Sequence, residues 1–229
     1  MPNKRRILIV KFKNTIKNEE LKWFRGAIIQ HILKKDNILF HNHMGNNFRY
    51  SYPLIQYKRI QQCAAIVCID YGVEAIGNFF TGYDNIMRIG ERNEIMEIDY
   101  IRPTVYNIQL WNNTFHYRLN RWLPLNENNY LAFKSISDPD ERIALLERIL
   151  IGNILSFAKG LDIQIEQKLE CQIKQIKKQY IIKYKETGMS AFDLLFSTNI
   201  SLPAYIGLGK NASTNCGIVT PYHLAESNK

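Results

Sequence analysis

Phe40-His41-Asn42-His43 concentrates two of the chain's five histidines within three residues. If this stretch is extended, residues two apart face the same side with Cα atoms roughly 7 Å apart, close enough for both imidazoles to flank one phosphate. Cleavage of a ribose–phosphate backbone needs such a pair. One group takes the proton from a 2′-hydroxyl, another gives a proton to the departing 5′-oxygen, and imidazole does either near neutral pH. Arg49 and Lys58 follow nearby in the sequence, suited to stabilising charge on the phosphorane, and Tyr52 and Tyr57 carry hydroxyls able to position substrate. The same letters also describe two histidines in a solvated loop and tyrosines that are ordinary strand formers. A metal site would need a third and fourth ligand. The chain offers only His31, Cys63 or scattered carboxylates at no recognisable spacing, so neither a metal nor another cofactor is expected.

Two further groups suit a polyanion. Lys174, Lys177, Lys178, Lys183 and Lys185 are interleaved with Tyr180 and Tyr184, the mixture of cations and aromatic faces that RNA modules use for phosphate contact and base stacking. A solvated lysine-rich hairpin has the same composition. Gly207 to Gly217 forms a glycine-bearing loop that could turn backbone N–H groups towards phosphate. It lacks the spacing of a P-loop and opens no Rossmann unit, so nucleotide binding is unsupported. The net charge of +9 is uneven: Met1 to Pro124 carries 18 basic and 10 acidic residues, against 12 and 11 in the remainder. That asymmetry favours nucleic acid, because neutralised phosphates release condensed counterions.

The elements that must hold these groups follow from periodicity. Arg6 to Lys13 alternates as a strand, and Leu21, Phe24, Ile28 and Ile32 recur at helical spacing behind Glu19 and Glu20. Phe48 to Ile60, broken by Pro53, and Cys63 to Asp70 read as a hairpin with a polar tip. A helical segment at Val73 to Phe80 and extended stretches at Ile86 to Ile89 and Glu94 to Ile101 complete a βαββαβ order. That order is the ferredoxin-like, RRM-type module. The scheme begins again near Arg102 and Pro103, with an aromatic strand region from Tyr106 to Trp122.

The strongest helix follows, with Asp138 as N-cap, Pro139 at the first position, Glu141 closing a capping box and a stripe of Leu146, Ile149, Leu150, Ile154 and Phe157 ending at Gly160. Leu169 to Ile176 and Tyr180 to Lys185 then read as a basic hairpin, with another strand near Ala191 to Thr198. The expected fold class is α+β, two tandem ferredoxin-like modules over residues 1–104 and 105–229. No apolar run approaches the ~20 residues of a membrane span, no secretory segment is visible, and four cysteines outside any CxxC pair suit reduced thiols in a cytoplasm.

Taken together, Phe24-Arg25-Gly26-Ala27-Ile28, FHNH at Phe40 to His43, YPLIQYK at Tyr52 to Lys58, RWLPLNENNY at Arg121 to Tyr130, ERILIGNILSFAKGL at Glu147 to Leu161 and LPAYIGLGK at Leu202 to Lys210 resemble one family. It is the CRISPR-associated endoribonuclease that cuts precursor CRISPR RNA within its repeats, in the branch with paired histidines, within the repeat-associated RNA-binding superfamily. The resemblance implies metal-independent cleavage to a 2′,3′-cyclic phosphate and a 5′-hydroxyl, retention of the product, and delivery into a multisubunit interference complex. It assigns catalysis to His41 and His43, without saying which is acid and which is base, and RNA contact to Gly207, Gly209, Lys210 and Gly217. The sequence leaves a homodimer open. It also leaves open a noncatalytic RNA-binding subunit of the same fold. The loop departs from the family's pattern, having Thr214-Asn215-Cys216 where a basic residue, a glycine and an aromatic residue are usual. Asn tolerates positive φ, so the turn is expected to survive that change.

Overall fold

The computed structural model describes residues 3–30, 43–44, 47–48, 52–81, 85–184 and 187–222. They fall into two compact units. The first runs to Asn107 and also takes in Ser213–Asn215; the second comprises Ile108–Ala212 and resumes at Cys216.

In the first unit β1 (Lys4–Thr15) leads through a single 3-10 turn into α1 (Leu21–Gln30). The short pair β2 (His43–Met44) and β3 (Asn47–Phe48) precedes β4 (Ile55–Ile60) and β5 (Cys63–Ile69). Then come α2 (Tyr71–Ala75), α3 (Gly77–Thr81), the β6 (Ile86–Ile89) and β7 (Arg92–Ile95) hairpin, and β8 (Ile98–Asn107). The main sheet is antiparallel in the order β4-β5-β1-β8, the second, third, first and fourth strands of a ferredoxin-like module. Arg102 and Pro103 lie within β8, and an edge strand accommodates a proline there because no ladder bond need be lost.

Alternation explains the core. Leu8, Val10 and Phe12 of β1, Ile55 and Tyr57 of β4, and Ala64, Ile66 and Cys68 of β5 share one face, covered by Leu21, Phe24, Ala27 and Ile28 of α1. Phe12 meets Phe24 edge-on, with ring centroids 5.6 Å apart. The hairpin tip between β4 and β5 is Gln61-Gln62, both at positive φ as a two-residue primed turn requires. Non-glycine residues are strained in that region. Here Gln62 is also tied down, its carbonyl accepting from Ile16 N–H and its side chain from Arg59.

The second unit comprises β9 (Leu110–Trp122), α4 (Glu127–Ser135), α5 (Pro139–Gly160), β10 (Cys171–Tyr184), β11 (Thr187–Ile200) and β12 (Ile218–Pro221). Its sheet is β10-β11-β9-β12, again second, third, first, fourth. The Asp138 carboxylate caps α5 by accepting from Asp140 N–H at 2.9 Å, and Leu146, Leu150, Ile154 and Phe157 are fully buried.

Three sequence expectations need correction. The basic run is one long strand, β10, paired with β11, so Lys177 and Lys178 lie within a strand instead of at a turn. Bulges between Ile173 and Gln175 and between Ile176 and Lys178 break the alternation that would have announced it. Second, the structure adds α4, which the sequence does not announce; Asn126 caps it, and none of its residues is buried, so it carries no apolar stripe. Third, the second module has no closing helix: between β11 and β12 its described chain is the glycine-bearing loop.

Candidate nucleic-acid interface

Of the proposed catalytic pair, His41 lies outside the described residues, as does Arg49. The backbone of His43 is in β2, extended and paired with Phe48. Tyr52 accepts a hydrogen bond from the Gln56 amide at 2.8 Å, and the same amide donates to the Pro53 carbonyl at 3.0 Å. These bonds fix the approach to β4.

Tyr57 and Lys58 of β4 are both buried, on opposite faces of the strand. Tyr57 packs edge-on to Phe24 at 6.2 Å, with the Arg25 guanidinium 6.0 Å from its ring centroid. Its hydroxyl is buried and makes no hydrogen bond among the described residues, and loss of solvent pushes the phenol's pKa strongly up despite Arg25 nearby. Tyr57 is therefore a neutral group inside the module at any physiological pH.

The outer edge of β4 is covered by a piece of the glycine-bearing loop. Ser213–Asn215 runs beside it, with Thr214 bridged in parallel to Tyr57. Tyr57 N–H donates to the Ser213 carbonyl at 2.7 Å, and Arg59 N–H to Asn215 Oδ1 at 2.8 Å. Asn215 Nδ2 in turn donates to Asn18 Oδ1 at 2.8 Å. Asn215 is at φ +56° and only 3% exposed. The left-handed turn survives, as the sequence led us to expect, and the side chain gained in place of a glycine is spent on the strand edge.

The rest of the loop is built in the second unit. Gly209, at φ +80°, packs against the Trp122 indole, whose N–H donates to Asn153 of α5 at 2.9 Å. A Cβ at Gly209 would come within 2.8 Å of the Asn153 side-chain oxygen. Leu208 N–H donates to the Gly217 carbonyl, and Gly217 N–H to the Arg121 carbonyl. Those two N–H groups are thus used within the fold and are not offered to a phosphate. What the loop does present is Lys210, exposed between the positive-φ residues Gly209 and Asn211. Cys216, where an aromatic residue is usual, is buried with Leu123, Met189 and Ala191.

Lys174, Lys177 and Lys178 are exposed along β10, an edge strand. Lys178 places its ammonium 5.1 Å from the centroid of the Tyr180 ring. The Tyr180 hydroxyl donates to Asp193 at 3.1 Å; burial first, and that carboxylate second, push the phenol up to about 12. Asp193 also accepts from Arg121 N–H at 2.7 Å, so one carboxylate joins β10, β11 and β9 where the glycine-bearing loop meets them. Sequence reasoning misses Arg25, Asn153 and Asp193, whose contributions depend on partners far away in the chain. Among the described residues no three of His, Cys, Asp and Glu converge as metal ligands, and no helix is long and apolar enough to cross a membrane.

Comparison with known proteins matches the Cas6b N-terminal domain model to residues 3–105 and the Cas6b C-terminal domain model to residues 109–222. The chain belongs to the Cas6b family. A Cas6b crystal structure superposes with a TM-score of 0.87 at 28% identity, over 96% of this chain and 100% of that one. Another, described as a CRISPR RNA processing endoribonuclease, shares the fold with a TM-score of 0.74 at 24% identity, over 96% and 100%. An uncharacterised protein of Methanocaldococcus jannaschii is 33% identical over 138 residues, 59% of this chain and 92% of that protein. The family and the fold expected from distributed sequence pieces are thereby established.

Proposed function

We propose that this protein is a metal-independent endoribonuclease that cuts precursor CRISPR RNA within its repeats. The observation carrying this reading is the end-to-end correspondence with Cas6b in a chain that has an H-x-H pair leading into the short strand β2. His41 and His43 act as acid and base. One imidazole takes the 2′-hydroxyl proton, the new 2′-oxygen bonds to phosphorus, the bond from phosphorus to the 5′-oxygen breaks, and the second imidazole protonates the leaving oxygen. The ends are a 2′,3′-cyclic phosphate and a 5′-hydroxyl. No water or metal enters that step.

Arg49 stabilises charge on the phosphorane, and Lys58 contributes from its buried position. Tyr52 positions the approach to β4, while Tyr57 acts structurally through its packing with Phe24 and Arg25. RNA is held by Lys174, Lys177 and Lys178 on β10 and by the loop of Gly207, Gly209, Lys210 and Gly217. The product stays bound and passes to a multisubunit interference complex.

Cleavage of a cognate repeat RNA in the presence of EDTA tests this reading. The His41→Ala/His43→Ala protein is expected to bind that RNA and leave it intact. Undiminished cutting by the double variant would overturn the assignment, and a wild-type protein that binds without cutting would favour a noncatalytic RNA-binding subunit.

A further inference from the structure

Asn215 combines three properties not expected of an ordinary loop residue. It occupies the left-handed region, its polar side chain is almost wholly buried, and both ends of its amide are engaged. The oxygen satisfies the outward N–H of Arg59, which β5 cannot reach, and the nitrogen reaches Asn18 just before α1. Arg59 is further held by its guanidinium, which donates to the Ile16 carbonyl at 2.6 Å and to Gln62. The strip 213–215 is thus clamped to β4 by the Ser213 carbonyl at one end and the Asn215 amide at the other.

Lys210, the exposed cation of the loop, lies five residues before Asn215, and β4, which the strip covers, follows β2 and β3 in the chain after the histidine segment. RNA held by Lys210 is tied through only a few residues of chain to a strip whose place on β4 the clamp sets. We propose that Asn215 is a positioning residue for RNA cleavage, fixing the strip 213–215 on β4 so that RNA held by the adjoining loop is presented in one register. This rests on the endoribonuclease reading above. Asn215 touches no reacting atom; its effect passes through the loop, and misplacement of a bound substrate by an ångström is enough to slow chemistry by about 100-fold.

The test compares Asn215→Gly, which keeps the positive φ and removes both side-chain bonds, with Asn18→Ala, which removes only the distal one. Single-turnover cleavage at saturating repeat RNA is expected to slow by about 10- to 100-fold in Asn215→Gly while Kd changes by less than about threefold. Asn18→Ala should fall between that variant and the wild type. Amide exchange at Arg59 should quicken in Asn215→Gly, since its acceptor is gone. Wild-type cleavage with a deprotected Arg59 amide would overturn the proposal. Should Asn215→Gly fail to give a native near-ultraviolet dichroism spectrum, Asn18→Ala decides, and an unchanged rate there is equally fatal. A wild-type protein that binds repeat RNA without cutting it removes the endoribonuclease reading itself. Equal cutting by wild type and variants removes only the positioning role.

Discussion

The carbonyl oxygen of Leu208 stands where a side chain on Gly217 would begin, and a Cβ placed there would overlap it. Gly217 is also at φ +59°, so both space and backbone exclude other residues. Gly217→Ala is expected to lower the stability of the second unit by about 2 kcal/mol or more. Denaturant unfolding checks this, and an unchanged midpoint would mean that the loop rearranges without cost.

The side-chain oxygen of Asn153 accepts from the indole N–H of Trp122, which is fully buried. Asn153→Ala removes that acceptor from a buried donor, at a cost of about 1–3 kcal/mol. The expected result is a lower unfolding midpoint together with weaker binding of repeat RNA, because Gly209 of the loop rests on the same indole. Wild-type stability in this variant would show that the indole does not depend on Asn153.

Glu20 gives a pH dependence with a definite sign. The Lys17 N–H, donating at 2.8 Å, and then Arg92 at 2.9 Å hold its carboxyl below the usual range. Its folded-state pKa is lower than its unfolded one. It therefore stabilises the fold above about pH 4.3, and the contribution disappears as pH falls through the depressed folded value. Glu20→Gln should cost about 1 kcal/mol at neutral pH and progressively less below about pH 4. A penalty that stays constant down to acid pH would contradict this.

The lysines of β10 are tested by salt. If Lys174, Lys177 and Lys178 bind phosphates, replacing all three by Ala weakens RNA binding, and each phosphate left without its lysine flattens the plot of log K against log salt by about 0.7 to 0.9. A parallel, unshifted plot would place the RNA elsewhere.

A single deoxyribose immediately before the scissile phosphate removes the proposed nucleophile. Such an RNA is expected to bind normally and remain uncut. Continued cleavage would exclude attack by the 2′-hydroxyl.

Much of this fold is legible in the sequence because local signals and burial agree. α5 has its cap, its proline and its stripe in one uninterrupted segment, and β1 alternates cleanly. β10 is harder to read because its bulges shift the face of every residue beyond them, so Lys177 to Gln179 resembles a turn. α4 is hidden because a helix with no buried side chain leaves no periodic trace. In the candidate site, the permissive φ of Asn215 follows from residue type. Its bonds to Arg59 and Asn18 do not, since partners 156 and 197 residues away are joined by topology, not by spacing. Lys58, read from the sequence as a cation suited to stabilising a phosphorane, is fully buried in the fold, which its place in the sequence does not announce.

The distance along the chain between β4 and the strip that covers it also sets an order of events on the ribosome. All four strands of the first sheet have been synthesised by Asn107, yet the outward N–H groups of Tyr57 and Arg59 await Ser213 and Asn215. Throughout synthesis of the second module the nascent chain thus carries a sheet margin open to pairing with strangers, and its protection arrives only with the loop.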